Sequence, residues 1–166
     1  KENMNKKLNI LKEKLGNGIC IDDYEKIQPY LTEERGKLKG SSDLLLKPRN
    51  TKEVSKILRL CDQNKISVVP QGGRTGLSGG TIPDASKNEV IISMERMNKI
   101  LSIDKNNMRI SVQSGCTLQN IKDFSIKRDL YFPLKLPSMA TCTIGGNIST
   151  NAGGSSVLKY GMTRDM

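Results

Sequence analysis

The sequence contains no histidine and no tryptophan, and only two of its 166 residues are phenylalanine. Histidine is the commonest metal ligand and the usual general base near neutral pH, so any site that needs an imidazole of this chain is excluded. The scarcity of aromatic rings disfavours a surface on which the bases of single-stranded nucleic acid stack. We assign no metal-binding residue.

Long apolar runs are also absent. No stretch approaches the roughly 20 residues that span a bilayer, and no apolar signal-peptide core follows the N-terminal KENMNKKLNI. The cysteines Cys20, Cys61, Cys116 and Cys142 form no CxxC pair and are expected to be buried thiols in a reducing compartment. These features predict a cytoplasmic protein without a transmembrane segment.

The net charge of +10 allows two interpretations. A basic protein can be a nucleic-acid-binding module, or its lysines can be spread over solvated surfaces. The lysines of this chain are scattered and form no long basic block. We therefore favour the second interpretation, with no nucleic-acid partner, and note that a basic surface favours an anionic ligand.

The hydrophobic periodicity predicts a mixture of helices and strands. Met4, Leu8, Leu11 and Leu15 recur at helical spacing before a glycine. A second short helix is predicted over Tyr24 to Leu31, and a later one is predicted to have Thr51 as its N-cap. The runs KISVVP, EVIIS and MRISVQSG are typical of strands. The order predicts an α+β fold.

A glycine-rich loop follows one predicted strand directly. PQGGRTGLSGG, residues 70–80, holds five glycines in eleven positions. Glycine adopts positive φ and lets other groups approach the backbone, so successive N–H groups can converge on a phosphate. We expect positive φ at Gly76, a cation from Arg74 and a hydroxyl donor from Thr75. A surface loop without a ligand is the alternative.

Two common phosphate motifs do not describe this loop. A P-loop needs G-x-x-x-x-G-K-[ST], and no lysine stands at the required place. A dinucleotide fingerprint needs G-x-G-x-x-G at the start of a helix, whereas Pro83 and Asp84 argue against a helix after this loop.

A second glycine-rich stretch is TIGGNISTNAGG, residues 143–154, with glycine pairs at 145–146 and 153–154. Its Asn147 and Asn151 carry donors and acceptors that can bond a planar heterocycle while glycines let the ring approach the backbone. Two such stretches with different polar content indicate one ligand that has a diphosphate and a ring. The residues alone do not identify the dinucleotide.

The two stretches carry a family resemblance. VVPQGGRTGLSGGTIP and FPLKLPSMATCTIGGNISTNAGG, followed by YGMTRD, resemble the FAD-linked oxidases with the vanillyl-alcohol-oxidase or PCMH-type FAD-binding domain. The D-lactate, glycolate and D-2-hydroxyglutarate dehydrogenases look most similar. The resemblance implies two small α+β lobes, with a helical extension at residues 1–43 and the FAD-binding domain at residues 44–166.

The resemblance also implies which residues contact FAD, which we expect to be bound noncovalently. The residues expected along the pyrophosphate are Pro70, Gln71, Gly72, Gly73, Arg74, Thr75, Gly76, Leu77, Gly79 and Gly80. The residues expected along the flavin and its ribityl chain are Pro137, Ser138, Ala140, Thr141, Gly145, Gly146, Asn147, Thr150, Asn151, Ala152, Gly153 and Gly154. The residues expected near the cofactor are Tyr160 and Gly161.

The implied reaction is oxidation of a D-2-hydroxyacid by hydride transfer to flavin N5, with a quinone, a cytochrome or an electron-transfer flavoprotein as the acceptor. Three departures stand against the family pattern. Arg74 replaces the usual Gly or Asn, so it either lies by the phosphates or faces solvent. Lys135 and PSMAT, where D-2-hydroxyglutarate enzymes often have Asp and GAKGS, weaken that substrate assignment.

Family enzymes continue beyond the segment YGMTRD with a substrate-binding cap, and the resemblance places the substrate-binding and proton-abstracting residues there. We therefore assign no catalytic residue to this chain and expect it to be inactive alone. A fragment, a split-gene product and a non-catalytic FAD-binding subunit that needs a partner chain remain the alternatives.

Overall fold

The structure is a computed structural model that describes the backbone of residues 2–166 and the side chains from Met4 onward. Its helices are α1 (Glu2–Leu15), α2 (Tyr24–Ile27), α3 (Thr51–Gln63), α4 (Leu118–Ile126), α5 (Ile144–Ser149) and α6 (Val157–Tyr160). Its strands are β1 (Cys20–Ile21), β2 (Leu45–Leu46), β3 (Ser67–Gln71), β4 (Glu89–Ser93), β5 (Ile100–Asp104) and β6 (Arg109–Val112). Short 3-10 helices cover Gln28–Tyr30 and Thr163–Asp165. The predicted α+β composition is confirmed.

The chain divides into two compact units, a first that ends at Arg96 and a second from Met97 to Met166. In the first unit the strands form one sheet in the order β1-β2-β4-β3. β1 is antiparallel to β2, whereas β2, β4 and β3 run parallel. β4 therefore lies between two parallel neighbours, which explains why its run Val90–Ile92 is apolar without alternation and fully buried.

Helices cover both faces of this sheet. α1 and α3 pack on the face that carries Leu44, Leu46, Val90 and Ile92. α2 and the 3-10 helix after it pack on the opposite face, because alternate residues of a strand point to opposite sides. The N-terminal helix is thus part of the core of the first unit.

The ends of the long helices follow local capping rules. α1 ends at Leu15 because Gly16 adopts φ +75°. The N-cap of α3 is Asn50, whose side chain accepts a hydrogen bond from the N–H of Glu53 at 2.9 Å. The prediction that Thr51 caps this helix was wrong by one residue, since Asn and Thr are both favoured caps and stand side by side here.

The first glycine-rich loop leaves the carboxyl end of β3, and the next regular element is the strand β4. The expectation that no helix opens directly after this loop is confirmed. The loop therefore sits at the edge of a parallel sheet where ligands of open α/β sheets commonly bind.

The second unit combines an antiparallel hairpin of β5 and β6 with α4 and α5. α4 begins after Thr117, whose side chain accepts from the N–H of Asn120 at 3.2 Å. α5 begins inside the second glycine-rich stretch, which sequence reasoning did not predict to be helical. Its glycines hide the apolar periodicity, and its helical conformation is anchored by the buried Ile144.

Among the described residues, every helix is too short or too polar to cross a membrane.

Candidate cofactor site

The backbone of the first loop is left-handed at two positions. Arg74 has φ +57° and Gly79 has φ +82°. Gly76 does not have positive φ, so our expectation for that residue was wrong. The conformational freedom of glycine is used at Gly79, and at residue 74 an arginine takes a conformation that favours glycine or asparagine.

The loop has unpaired backbone donors. Among the described residues, none accepts a hydrogen bond from the backbone N–H groups of residues 72–76. A Cβ built on Gly76 or Gly80 would meet no protein atom within 4 Å. Free donors beside open space suit an anion that brings its own acceptor oxygens.

Gln71 connects the two ends of this loop. Its buried side-chain amide donates from Nε2 to the carbonyl oxygen of Tyr30 at 2.9 Å and to that of Thr81 at 2.5 Å. Its Oε1 has no partner within the described part of the chain. A buried acceptor without a donor is rare and costs free energy, so this oxygen is available to a hydroxyl or N–H of a ligand.

The side chain of Arg74 contacts an earlier segment of the chain. Its Nη1 donates to the carbonyl oxygen of Pro29 at 2.6 Å, and its guanidinium carbon lies 4.4 Å from the centre of the Tyr30 ring. Arg74 therefore joins the loop to the 3-10 helix Gln28–Tyr30. Two further residues of the predicted set in this unit, Pro70 and Leu77, have exposed side chains.

The glycines of the second stretch mostly pack against their own chain. A Cβ on Gly145 would lie 2.9 Å from the backbone oxygen of Ser114, and one on Gly154 would overlap the backbone oxygen of Lys135. A Cβ on Gly153 would lie 2.7 Å from the sulfur of Met162. Close approach to backbone accounts for Gly145 and Gly154, whereas the atoms near Gly153 belong to a flexible side chain. Gly146 has only an ordinary contact, 3.7 Å from the hydroxyl of Thr143.

Two buried polar side chains, one at the N-cap of α5 and one within it, have no hydrogen-bond partner among the described residues. Asn147 Nδ2 and Thr143 Oγ1 bond to no described residue, although both side chains are at least nine-tenths buried. Asn147 was in the predicted set, whereas Thr143 was missed. The spacing of four residues between Thr143 and Asn147 could have identified Thr143, because residues i and i+4 lie on the same face of a helix.

Other polar members of the predicted set are engaged in local structure. Thr150 Oγ1 donates to the carbonyl oxygen of Gly146 at 2.9 Å, and Asn151, at φ +48°, accepts from the N–H of Arg164 at 3.0 Å. Thr141 Oγ1 donates to the carbonyl oxygen of Ser138 at 3.2 Å. Pro137 and Ala140 are exposed in the same turn, and Ala152 is half-buried.

Near the C-terminus, Tyr160 lies 6.1 Å from Tyr131 between ring centres, and Gly161 adopts φ +78°. Both rings carry a lysine ammonium within about 5 Å. Tyr160 is partly exposed and is thus available for contact.

The four cysteines are free, and Cys20 is half-buried rather than buried as expected, whereas the other three are buried. Burial raises the pKa of Cys20 and of Cys61 to about 11, and burial also raises the pKa of Cys116. Cys142 is buried among Leu118 and Leu134. Within the described residues, no cluster of acidic side chains and thiols could hold a metal ion.

Comparisons with known proteins agree with this geometry. A family model described as "FAD binding domain" matches residues 42–166. The mitochondrial D-2-hydroxyglutarate dehydrogenase of Arabidopsis thaliana is 44% identical over 156 residues, which is 94% of this chain and 28% of that protein. A D-lactate dehydrogenase of Anaerostipes hadrus is 42% identical over 127 residues, 76% of this chain and 26% of that protein.

Among solved structures, alkyldihydroxyacetonephosphate synthase is similar with a TM-score of 0.86 at 24% identity, over 97% of this chain and 32% of that one. At this identity the likeness establishes the fold alone. The chain therefore spans roughly a quarter to a third of the length of the proteins it matches.

The glycines of the second stretch give a test of stability. We expect Gly154→Ala to lower the free energy of unfolding by about 1–3 kcal/mol, because the added Cβ meets a backbone oxygen that cannot move aside. Gly146→Ala is the matched control, since its Cβ has room. Urea denaturation of both variants measures the difference, and equal stabilities would refute the packing role of Gly154.

Proposed function

Since the chain belongs to the FAD binding domain family, we propose that it holds FAD noncovalently and forms the cofactor-binding part of a flavin-dependent dehydrogenase of D-2-hydroxyacids. The observation that carries the proposal is the run of unpaired backbone N–H groups at residues 72–76 beside open space. A diphosphate supplies the acceptor oxygens that these donors lack.

The residues of the first loop fit the diphosphate part of FAD. The N–H groups of residues 72–76 would donate to the phosphate oxygens, and the space above Gly76 and Gly80 would admit them. Gln71 Oε1 would accept from a hydroxyl of the cofactor. Arg74 would support the loop rather than bond the phosphates, because its guanidinium already bonds the carbonyl of Pro29.

The residues of the second stretch fit a polar ring or polyol. Asn147 Nδ2 and Thr143 Oγ1 would bond oxygen or nitrogen atoms of the flavin or its ribityl chain, which would relieve the cost of burying them unpaired. When bound, FAD accepts a hydride and carries the redox chemistry, and the chain supplies binding and orientation.

The substrate class rests on the names of the relatives. Their names indicate D-2-hydroxyglutarate or D-lactate as substrates, and we propose a D-2-hydroxyacid of this kind, with glycolate as a further candidate. Lys135 is exposed and stands where D-2-hydroxyglutarate enzymes often have Asp.

The noncovalent mode is supported by the thiols and by composition. The chain has no histidine, and the Cys142 side chain is buried away from the surface. A histidyl link to the flavin would therefore need a residue that the chain lacks, and a link to Cys142 would need this buried side chain to become exposed.

The compartment is proposed to be a reducing one. The free cysteines suit the cytoplasm that we expected as well as the mitochondria named for the Arabidopsis relative. Fractionation of the source cells distinguishes the two.

Release of the cofactor tests the mode of binding. We expect the purified protein to be yellow and acid precipitation to leave FAD in the supernatant, because the chain has no histidine and its Cys142 is buried. Absorption spectra of supernatant and pellet measure the partition. Colour retained in the pellet would show a covalent link, and absence of flavin after refolding with FAD would contradict the cofactor assignment.

The open space above Gly76 gives a test of the diphosphate site. We expect Gly76→Val to weaken FAD binding by at least about tenfold, roughly 1.4 kcal/mol, because its side chain would occupy the space proposed for the phosphates. Gly18→Ala is the control, since Gly18 is an exposed glycine with room for a Cβ outside the loop. The measurement is the dissociation constant by fluorescence quenching, with the melting temperature as a check on folding. Unchanged affinity would remove the loop from the site.

Reduction by hydroxyacids tests the substrate class. We expect that the isolated 166-residue chain with FAD is bleached only slowly by D-2-hydroxyglutarate, D-lactate or glycolate, and that a protein with the remaining parts of the family enzymes is bleached rapidly by one D-acid. Dithionite reduction is the control for a reducible flavin. Rapid, stereospecific bleaching of the isolated chain under anaerobic conditions would show that it carries its own substrate site.

A further inference from the structure

A short segment ahead of the family match lies against the glycine-rich loop. Residues 29–40, here called the clasp, precede residues 42–166 that the family model matches. The clasp and the loop meet through side chains from both, within the first unit of the chain. The clasp is therefore placed to determine the shape of the loop.

One contact holds the left-handed residue of the loop. Arg74 adopts φ +57°, a conformation that an arginine does not favour by itself. Its Nη1 donates to the carbonyl oxygen of Pro29 at 2.6 Å and its guanidinium lies over the Tyr30 ring. Both contacts reach the same short 3-10 helix, so together they hold residue 74 in its unfavourable conformation.

The ring under Arg74 is itself fixed. The Tyr30 hydroxyl donates to Glu95 Oε2 at 2.6 Å, and Lys47 Nζ lies 2.6 Å from Glu95 Oε1 and 4.8 Å from the ring centre. Burial opposes ionisation of Glu95, but the hydrogen bonds from Lys47 and Tyr30 outweigh it and lower the pKa of the carboxyl group. The ring therefore has little freedom to move away from the loop.

A second contact holds the far side of the loop. The buried carboxylate of Glu33 accepts from the backbone N–H groups of Arg35 and Lys37, each at 2.9 Å. This turn directs Arg35 Nη2 to the carbonyl oxygen of Leu77 at 2.6 Å. Leu38 Cδ1 lies 2.5 Å from the position of a Cβ on Gly79, so the clasp also contacts the loop at this residue.

We propose that the clasp pre-forms the glycine-rich loop for a diphosphate, with Arg74 and Arg35 as positioning residues that bond backbone carbonyl groups rather than the ligand. This inference rests on the proposed function of the loop as the diphosphate site. Arg35 bonds a carbonyl group of the loop and Arg74 bonds a carbonyl group of the clasp, so both hold the loop without using the N–H groups of residues 72–76. Pre-formation reduces the ordering that the ligand would otherwise have to cause, and thereby increases affinity.

The test compares loop order without ligand and affinity with ligand in the purified protein. Arg74→Ala removes the hydrogen bond to Pro29 and the contact with the Tyr30 ring, and Arg35→Ala removes the hydrogen bond to Leu77. Arg74→Lys keeps the positive charge but lacks the planar guanidinium group, which can stack on a ring and donate hydrogen bonds at the same time. Arg59→Ala is the control, because Arg59 is an exposed residue of α3 that belongs to neither the clasp nor the loop, and its removal takes away the same charge. Backbone 15N order parameters at Gly73 and Gly76 and the FAD dissociation constant are measured for each.

We expect the order parameters to be near 0.85 in the parent protein and to fall below about 0.6 in Arg74→Ala and Arg35→Ala. FAD affinity should fall by about tenfold in these two variants. Arg74→Lys should remain impaired, and Arg59→Ala should match the parent in both measurements. The melting temperature should change little, which separates loosening of the loop from global destabilisation.

Three results would overturn the proposal. Weakened FAD binding with an unchanged ligand-free loop, or full rescue by Arg74→Lys, would mean that Arg74 acts on the cofactor by its charge. Unchanged order and affinity in both alanine variants would mean that the clasp has no role. If the loop loosens in the variants while the parent protein binds no FAD, pre-formation of the loop is supported and the cofactor assignment fails instead.

Discussion

The proposed binding site depends on the backbone N–H groups of the loop that follows the carboxyl end of β3, because these groups have no protein acceptor among the described residues. Residues 72–76 are half-buried or exposed, so water can bond their N–H groups, but no protein acceptor in residues 2–166 fixes the shape of this part of the loop. Gln71 fixes its start, because one amide bonds carbonyl groups on two other segments. The parallel sheet supplies the rigid support, since β4 is buried between β2 and β3.

Glycine has different uses in the two stretches. In the first loop, Gly76 and Gly80 leave space that no protein atom occupies. In the second stretch, Gly145 and Gly154 let two segments of the chain approach more closely than any side chain allows. Similar composition therefore arises from two needs, room for a ligand and room for the backbone.

Much of the fold followed from the sequence, because burial dictates the pattern of apolar residues. The spacing of α1 and the continuous apolar run of β4 predicted both elements. α5 was missed because its two glycines obscure the periodicity, and the positive φ was assigned to Gly76 rather than Arg74. The position of Arg74 depends on Tyr30, which lies far away in sequence, so no local pattern could reveal it.

The central claim is that the N–H groups of residues 72–76 bind a diphosphate, and an NMR titration tests it most directly. Amide shifts of the protein are followed with FAD, with ADP, which has the diphosphate without the flavin, and with riboflavin, which has the ring without the diphosphate. We predict that ADP and FAD both shift the amides of residues 72–76, and that riboflavin leaves them unchanged. Saturating FAD that leaves these amides unshifted, or ADP shifts confined to other residues, would contradict the claim.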